Sequence, residues 1–409
     1  MLKIKVIGIG AAGNRAAIKL IESNIIPRKD IMLLNSTSKD VPEKYRDDFY
    51  YEFGDVKGCG KERQLAHEMM VHALHQNQIP MDEFIDGDEK FYVIVSSTEG
   101  GTGSGSSVLL GEYLQEMTDA PVHMVALTGF EDDVRGLKNT VDWFNSLNDK
   151  FIVHAISNNK CLQFTNGNHK KAEEYANEIF VKRIAALTGK YIVPSDHNMD
   201  DTDLFKLSAI PGYLSVEIAP LERIKNKEQF DEIVKNMLEQ SVSLSTIPSV
   251  QRLGVIIDAS NKSLDIIGND YKLIKEHFGF PTELYTHLQS NDGLDDNITV
   301  IASGLKLPID EIKGVYTRFK KQMEKIDLDQ DNFFNINSKF DTNLGRRFDL
   351  GRSAGKHVKK DSAETNKSKT SFFAKFGLKS NIKAENDSGK ENVAKTEIKI
   401  GPAKAVDNL

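Results

Sequence analysis

The 409 residues suffice for two cored domains and a tail, and the formal charge of −7 is unevenly spread: residues 1–350 hold 40 Lys/Arg against 53 Asp/Glu, residues 351–409 hold 13 against 7. No run of about 18 apolar residues occurs and the opening MLKIKVIGIG passes straight into a strand, so neither a membrane span nor a signal peptide is expected, and a cytoplasmic protein is. Cys59 and Cys161, with no CxxC or His/Cys cluster around them, read as plain thiols rather than as a disulfide or zinc ligands.

In chain order, Ile4 onward is a strand entering Gly8-Ile-Gly10-Ala11-Ala12-Gly13-Asn14, followed by a helix to about Glu22. The G-x-G-x-x-G spacing is shared by dinucleotide-binding enzymes and many other α/β proteins, so it is weak on its own. A second strand, Asp30 to Leu34, ends in Asn35-Ser36-Thr37-Ser38, where a dinucleotide fold favours an acid for the ribose. Gly58-Cys-Gly60-Lys61-Glu-Arg63 then forms a glycine-bearing loop before a helix over Glu62–Gln76. It lacks the spacing of a P-loop and the Ser/Thr after Lys61, and reads as another loop at the same ligand.

The most informative stretch is Val93 to Gly105, an apolar strand ending in Glu99-Gly100-Gly101-Thr102-Gly103-Ser104-Gly105 before a helix over Ser106–Glu116. Glycines so dense between a strand and a helix N-terminus expose unpaired N–H groups beside the positive end of the helix dipole, a natural seat for phosphate. A strand Val122–Leu127 exits into Glu131-Asp-Asp-Val-Arg135. On a helix, Glu131 and Arg135 would share a face, either as a surface ion pair or as ligand contacts. A fifth strand, Phe151–Ile156, ends at Ser157-Asn158-Asn159-Lys160. Small and amide residues thus recur at strand carboxyl ends, where open α/β sheets bind ligands.

A long helix over Lys171–Lys190 carries Ala176, Ile179, Phe180, Ile184 and Leu187 at core spacing, with Asn177 on its polar side. Asn198-Met-Asp200-Asp-Thr-Asp203 follows, an acid-rich loop that reads as a solvated turn or cap, or as a site; the EF-hand spacing is missing. From Leu214 to Leu305 strands and helices alternate as a mixed α+β domain, and an amphipathic surface helix over Ile309–Ile326 ends the body. Past Gly351 the composition predicts disorder, apart from the island Ser371-Phe-Phe-Ala-Lys-Phe-Gly-Leu-Lys379, which has the character of a linear motif that folds on a partner. The positive balance of this tail points to an anionic partner.

The order GIGAAGN, NST, GCGKER, EGGTGSG, FEDDVR, SNNK, a helix bearing Ala176-Asn177, then NMDDTD resembles the nucleotide loops of the tubulin/FtsZ superfamily. EGGTGSG is similar to the tubulin signature GGGTGSG and N-x-D-x-x-D to the synergy loop of FtsZ, while GCGKER and the basic tail are closer to the TubZ-type tubulins that partition plasmids and phages. The resemblance implies an α/β fold with these parts: a Rossmann-like parallel-sheet GTP-binding domain (1–170), a central core helix (171–191), an acidic catalytic loop and following helix (192–213), a C-terminal α+β domain with a mixed sheet (214–326), an extension (327–350) and a disordered basic tail (351–409).

It implies GTP/GDP with Mg²⁺ held mainly through phosphates and water. Gly10, Ala11, Ala12, Asn14, Asn35, Gly60 and Lys61 would line the nucleotide, with Gly100, Gly101, Thr102, Gly103, Ser104 and Gly105 around the phosphates. Glu131 would take the ribose, Arg135 the phosphate end, and Asn158 and Asn177 the guanine. Asn198, Asp200 and Asp203 would act on the nucleotide of the next subunit in a head-to-tail filament, so that hydrolysis follows assembly. Two departures are visible: Glu99 replaces the first glycine of the signature and is expected to face magnesium or solvent, and Glu173 stands where FtsZ has an aromatic against the base. The tail lacks the acidic-apolar hook of division FtsZ. The expected function is segregation of plasmid or phage DNA through a DNA-binding adaptor held by the tail, without a membrane; the alternative is an FtsZ-like or phage-centring cytoskeletal GTPase. An oxidoreductase is allowed by the first glycine motif and opposed by the later loops.

Overall fold

Strand β1 (Ile4–Ile9) is apolar apart from the buried Lys5, and β4 (Phe91–Ser97) is apolar through Val95, because both faces of each are covered, the signature of a parallel sheet with helices on each side. The computed structural model describes residues 1–54, 58–190, 192–193, 195, 199–221, 224–245, 247–268, 271–290, 296–324 and 362–378. Among these, α1 (Gly10–Glu22) follows β1, and β2 (Ile31–Asn35), β3 (Tyr50–Glu52), α2 (Arg63–His75) and α3 (Met81–Phe84) precede β4. After β4 come α4 (Thr102–Met117), β5 (Val122–Thr128), α5 (Val134–Ser146), β6 (Ile152–Ser157), α6 (Asn158–Cys161) and α7 (His169–Thr188).

The second half holds α8 (Asp201–Ser208), β7 (Gly212–Pro220), α9 (Lys227–Glu239), β8 (Arg252–Asp258), α10 (Asn261–Ile267), α11 (Lys272–Phe278), β9 (Glu283–Gln289), β10 (Asn297–Leu305) and α12 (Ile309–Glu324). All strands join one ten-stranded sheet in the order β3-β2-β1-β4-β5-β6-β7-β10-β8-β9. The first six run parallel. β10 is antiparallel to β7 and β8, while β9 is parallel to β8, which gives the expected mixed sheet. The halves meet where β6 pairs with β7 at Ile152–Gly212 and Val153–Tyr213.

Alternation along the strands splits the core in two. On β4, Phe91, Val93 and Val95 face the side covered by α1, α7 and α8. Tyr92 and Ile94 face the side covered by α2, α4, α5 and the helices of the second half. Strand order reverses direction between β1 and β4, so a crevice opens outside their carboxyl ends, the place where sheets of this kind bind ligands.

One expectation is corrected. Residues 362–370 lie within the stretch expected to be disordered, ahead of the exempted island Ser371–Lys379, yet Ser362–Ala374 forms a helix, α13, with Phe372 and Phe373 of that island buried on the body of the same chain. The aromatic cluster buries apolar surface that offsets the cost of ordering this polar segment. The remaining tail, 351–361 and 379–409, and the extension 327–350 lie outside the described residues.

Candidate functional site

The crevice is floored by two helix N-termini. α1 begins directly after β1 and α4 after Glu99-Gly-Gly101, and neither has a side-chain cap or an acid in its first turn. Their leading N–H groups are therefore free of intrahelical and capping partners and carry the positive ends of two dipoles. Gly10 has φ +73°, and a Cβ there would stand 3.1 Å from the Gly103 nitrogen, so the two turns touch.

α4 starts at Thr102 rather than Ser106, which changes the part played by the glycines. Gly103 and Gly105 lie inside the helix and are small for packing: a Cβ at Gly105 would fall 2.2 Å from the Arg63 carbonyl oxygen of α2, and one at Gly103 would fall 3.1 Å from that of Ile9. Gly58, Gly60 and Gly100 face open space, with nothing within 4 Å of an added Cβ. Ser104 is buried and bonds its Oγ to the Gly100 carbonyl, holding the turn in shape.

Other side chains tie the loops together. Ser36 Oγ lies 2.8 Å from Thr102 Oγ1, joining the end of β2 to α4. Asn35 turns inward, accepting from Ser36 N at 2.9 Å. Lys61, itself at φ +66°, pairs with Asp133; burial raises the Asp133 carboxyl, but the Lys61 ammonium outweighs it and holds it below its ordinary value. Two supports were not foreseen. Asn139 on α5 donates to the carbonyls of Lys61 at 3.1 Å and Glu99 at 2.9 Å, and Arg63 donates to that of Ser104 at 3.0 Å. A buried amide on an otherwise amphipathic helix is the only sequence signal for the first.

The amide residues hold open valences. Asn14 is fully buried and donates to the Leu34 carbonyl at 3.1 Å, yet its Oδ1 has no partner, and neither does the buried Oδ1 of Asn158 at the end of β6. Buried acceptors without donors are uncommon and mark a place where another donor belongs. Asn177 is half-buried on α7, and Ala11 and Ala12 are partly exposed on the first turn of α1. Glu173, one turn before Asn177, pairs with Arg15 of α1 at 2.9 Å.

Glu131 and Arg135 do not share a helical face, because α5 starts only at Val134. Glu131 pairs with Arg318 of α12 at 2.8 Å, while Arg135 pairs with Glu62 and donates to the Lys61 carbonyl at 3.3 Å. Glu99 faces neither solvent alone nor the crevice: a Cβ at Gly129 or at Gly136 would meet its side chain, which fills the slot between them. Burial there pushes its carboxyl above the usual range, against the pull of Lys61.

The acidic loop lies elsewhere. Asp200 is the N-cap of α8, accepting from Asp203 N at 2.8 Å, and Asp203 returns the contact in a capping box. Asn198 lies outside the described residues. The neighbouring Asp201 pairs with the Met1 ammonium at 2.8 Å, and Leu2 N bonds to the Thr188 carbonyl at 2.9 Å, so α8 starts at the amino edge of the parallel strands. Gly10 lies at the carboxyl edge. β1, of six residues, alone spans roughly 20 Å between those edges at about 3.3 Å per residue. Among the described residues no three His, Cys, Asp or Glu side chains converge as a metal cage, and no helix is long and apolar enough to cross a membrane.

No family model matches the chain. Among curated proteins it is 24% identical over 341 residues to the cell division protein FtsZ of Mycoplasmopsis pulmonis, covering 80% of this chain and 84% of that one. It is 27% identical over 254 residues to the tubulin-like protein CetZ of Pyrococcus furiosus, covering 58% and 67%. Among solved structures it superposes on GDP-bound monomeric CetZ1 of Haloferax volcanii with a TM-score of 0.65 at 20% identity, over 79% of this chain and all of that one. A GTPγS-form protofilament of TubZ from Bacillus thuringiensis serovar israelensis gives 0.66 at 17% identity, over 80% and 92%.

Proposed function

We propose that this chain, which belongs to the tubulin/FtsZ superfamily, is a filament-forming GTPase whose active site is completed only between subunits. The observation that carries the reading is the separation of its parts. The anion-binding helix starts lie at the carboxyl edge of the sheet and the Asp200/Asp203 pair at the amino edge, too far apart to meet within one chain. Stacking copies head to tail brings one edge against the other, and a contact of that heterologous kind propagates as an open filament. Support also comes from relatives solved as protofilaments.

In this reading the N–H groups of Gly10, Ala11 and Ala12 and of Gly100 and Gly101 hold the phosphates, with Gly60 and Lys61 closing over them. The unpaired Asn14 and Asn158 oxygens accept from the guanine or ribose, Asn177 reads the base edge, and Arg135 approaches the phosphate end. Glu131 reaches the ribose by exchanging Arg318 for sugar hydroxyls. Asp200 and Asp203 of the next subunit, with Asn198, orient the attacking water. Magnesium would be held mainly through phosphate oxygens and water, where it would neutralise phosphate charge.

For cargo, we read plasmid or phage DNA carried through a DNA-binding adaptor on the Lys-rich tail; the tail's 13 basic against 7 acidic residues and the likeness to TubZ structures favour it. A second reading, a cytoskeletal filament with other cargo, is favoured by the FtsZ and CetZ sequence relatives. Light scattering with GTP tests the enzyme: a rise that decays as GTP is spent is expected, and no response to GTP sinks the proposal. Co-sedimentation of filaments with DNA of the native replicon in host extract, which supplies the adaptor, separates the two cargo readings: DNA pelleting that is lost without residues 379–409 supports partition, and no DNA in the pellet supports other cargo.

A further inference from the structure

α13 lies along α2 and α4. Phe372 is fully buried and meets Tyr113 of α4 edge-on, ring centroids 5.3 Å apart. Phe373 meets His75 of α2 at 5.1 Å, and Phe376 leans on His67 at 5.9 Å. Ion pairs flank the cluster, Lys369 to Asp82 at 2.5 Å and Lys375 to Glu116 at 2.9 Å. The sequence of the helix before Phe372 is polar. One aromatic cluster with a charged rim makes a contact that opens locally at less cost than a core element.

The two helices beneath it are those that present the glycine loops. Their N-terminal halves interlock, since the Arg63 carbonyl excludes any side chain at Gly105 and Ser106 Oγ donates to the Ala66 carbonyl at 3.1 Å. α13 and the turn after it, which carries Lys375 and Phe376, grip the same pair, from His67 to His75 on α2 and at Tyr113 and Glu116 near the end of α4. Packed helices move as near-rigid bodies, so a clamp on the pair bears on the spacing of the loops at its start.

We propose that α13 is a displaceable latch that clamps α2 to α4 and thereby holds the Gly58–Lys61 and Glu99–Gly101 turns in the spacing that binds nucleotide. The coupling rests on the GTP reading above; the docking does not. A partner that takes the aromatic face of Phe372, Phe373 and Phe376 must first lift it from the groove. Capture of this segment and binding of nucleotide then oppose one another, each weakening the other by the same factor.

The test is a charge-swap cycle in the full chain. Lys369→Glu with Lys375→Glu reverses the tail side, Asp82→Lys with Glu116→Lys reverses the groove side, and the combination of all four restores complementarity. Amide hydrogen exchange over 367–376 and GTP affinity in dilute protein are read together. Each double reversal is expected to speed exchange of α13 at least ten-fold and weaken GTP binding about ten-fold, with the four-fold variant recovering both. Faster exchange with unchanged GTP affinity overturns the coupling, and exchange already at the rate of an unstructured peptide in the natural chain overturns the latch itself. A natural chain that binds no GTP while the exchange cycle behaves as expected removes the GTP reading and its coupling, leaving only the docked helix.

Discussion

The ammonium of Met1 stands 2.8 Å from Asp201 Oδ2, and that contact fixes the start of α8 at the edge of the sheet opposite Gly10. In the residues beside it, Asp200 and Asp203 serve their own chain as a helix cap. On this account they serve a neighbour as catalytic groups, and the two roles can be separated.

Asn substitution does so. In Asp200→Asn and Asp203→Asn the amide oxygen still accepts, so the cap is largely kept, whereas Asp200→Ala removes it and costs about 1 kcal/mol of stability. The expected outcome is that both Asn variants melt near the natural chain, bind GTP and assemble, but lose turnover by at least a hundred-fold and leave persistent filaments. Natural turnover in Asp203→Asn, measured by phosphate release, would make the acids structural only.

The glycines divide in the same way. Gly13→Ala pushes a methyl group to within 2.2 Å of the Val95 carbonyl oxygen, a backbone atom with nowhere to go, and should cost about 3 kcal/mol regardless of ligand. Gly100→Ala meets nothing and has no left-handed φ to strain, so its stability should change by less than about 0.5 kcal/mol. Its GTP affinity should nevertheless fall ten-fold or more, because the added methyl occupies space that the phosphates approach. Calorimetric melting beside GTP titration checks the contrast; unaltered GTP affinity in Gly100→Ala would remove that turn from the site.

The acid limit of the fold is set in part by two histidines. His123 and His154 are buried side by side on β5 and β6, Nδ1 to Nε2 2.8 Å apart, and His123 stacks on Phe91 at 4.3 Å. Burial lowers His123 to about 3, and burial followed by the charges of His123 and Arg183 lowers His154 well below its ordinary value. The unfolded chain, near 6.5, therefore binds protons that the folded chain refuses. The stability is whole above about pH 6.5 and declines as pH falls below it, by about 2 kcal/mol for His123 at pH 5, with His154 contributing in the same direction. Urea midpoints at pH 7.5 and pH 5 should differ accordingly, and His123→Phe should shrink the difference; an unchanged difference would contradict the assignment.

Much of this was legible because it is local. β1, β4, β5 and β6 announce themselves as largely apolar runs, and the turns at Gly10 and at Glu99–Gly101 follow directly from the strands before them. The edge strands were missed. β3 is three residues among acids, and β9, ELYTHLQ, is polar and half-exposed, so neither carries the buried alternation that marks a strand. Side-chain destinations were the other gap: that Glu131 meets Arg318, that Glu173 meets Arg15 and that Glu99 fills the slot between Gly129 and Gly136 depend on helices far away in sequence. The island at Phe372 was recognised as a docking motif, but its groove is on its own chain, a pairing that composition does not encode.

The central claim is that one subunit holds the triphosphate and the next supplies the acids that cleave it. GTP turnover per subunit, measured across a hundred-fold range of protein concentration at saturating GTP, tests it most directly. Near-zero turnover in dilute protein, rising steeply at the concentration where filaments sediment, is the predicted result. Turnover per subunit that stays constant from the most dilute monomer upward would contradict it.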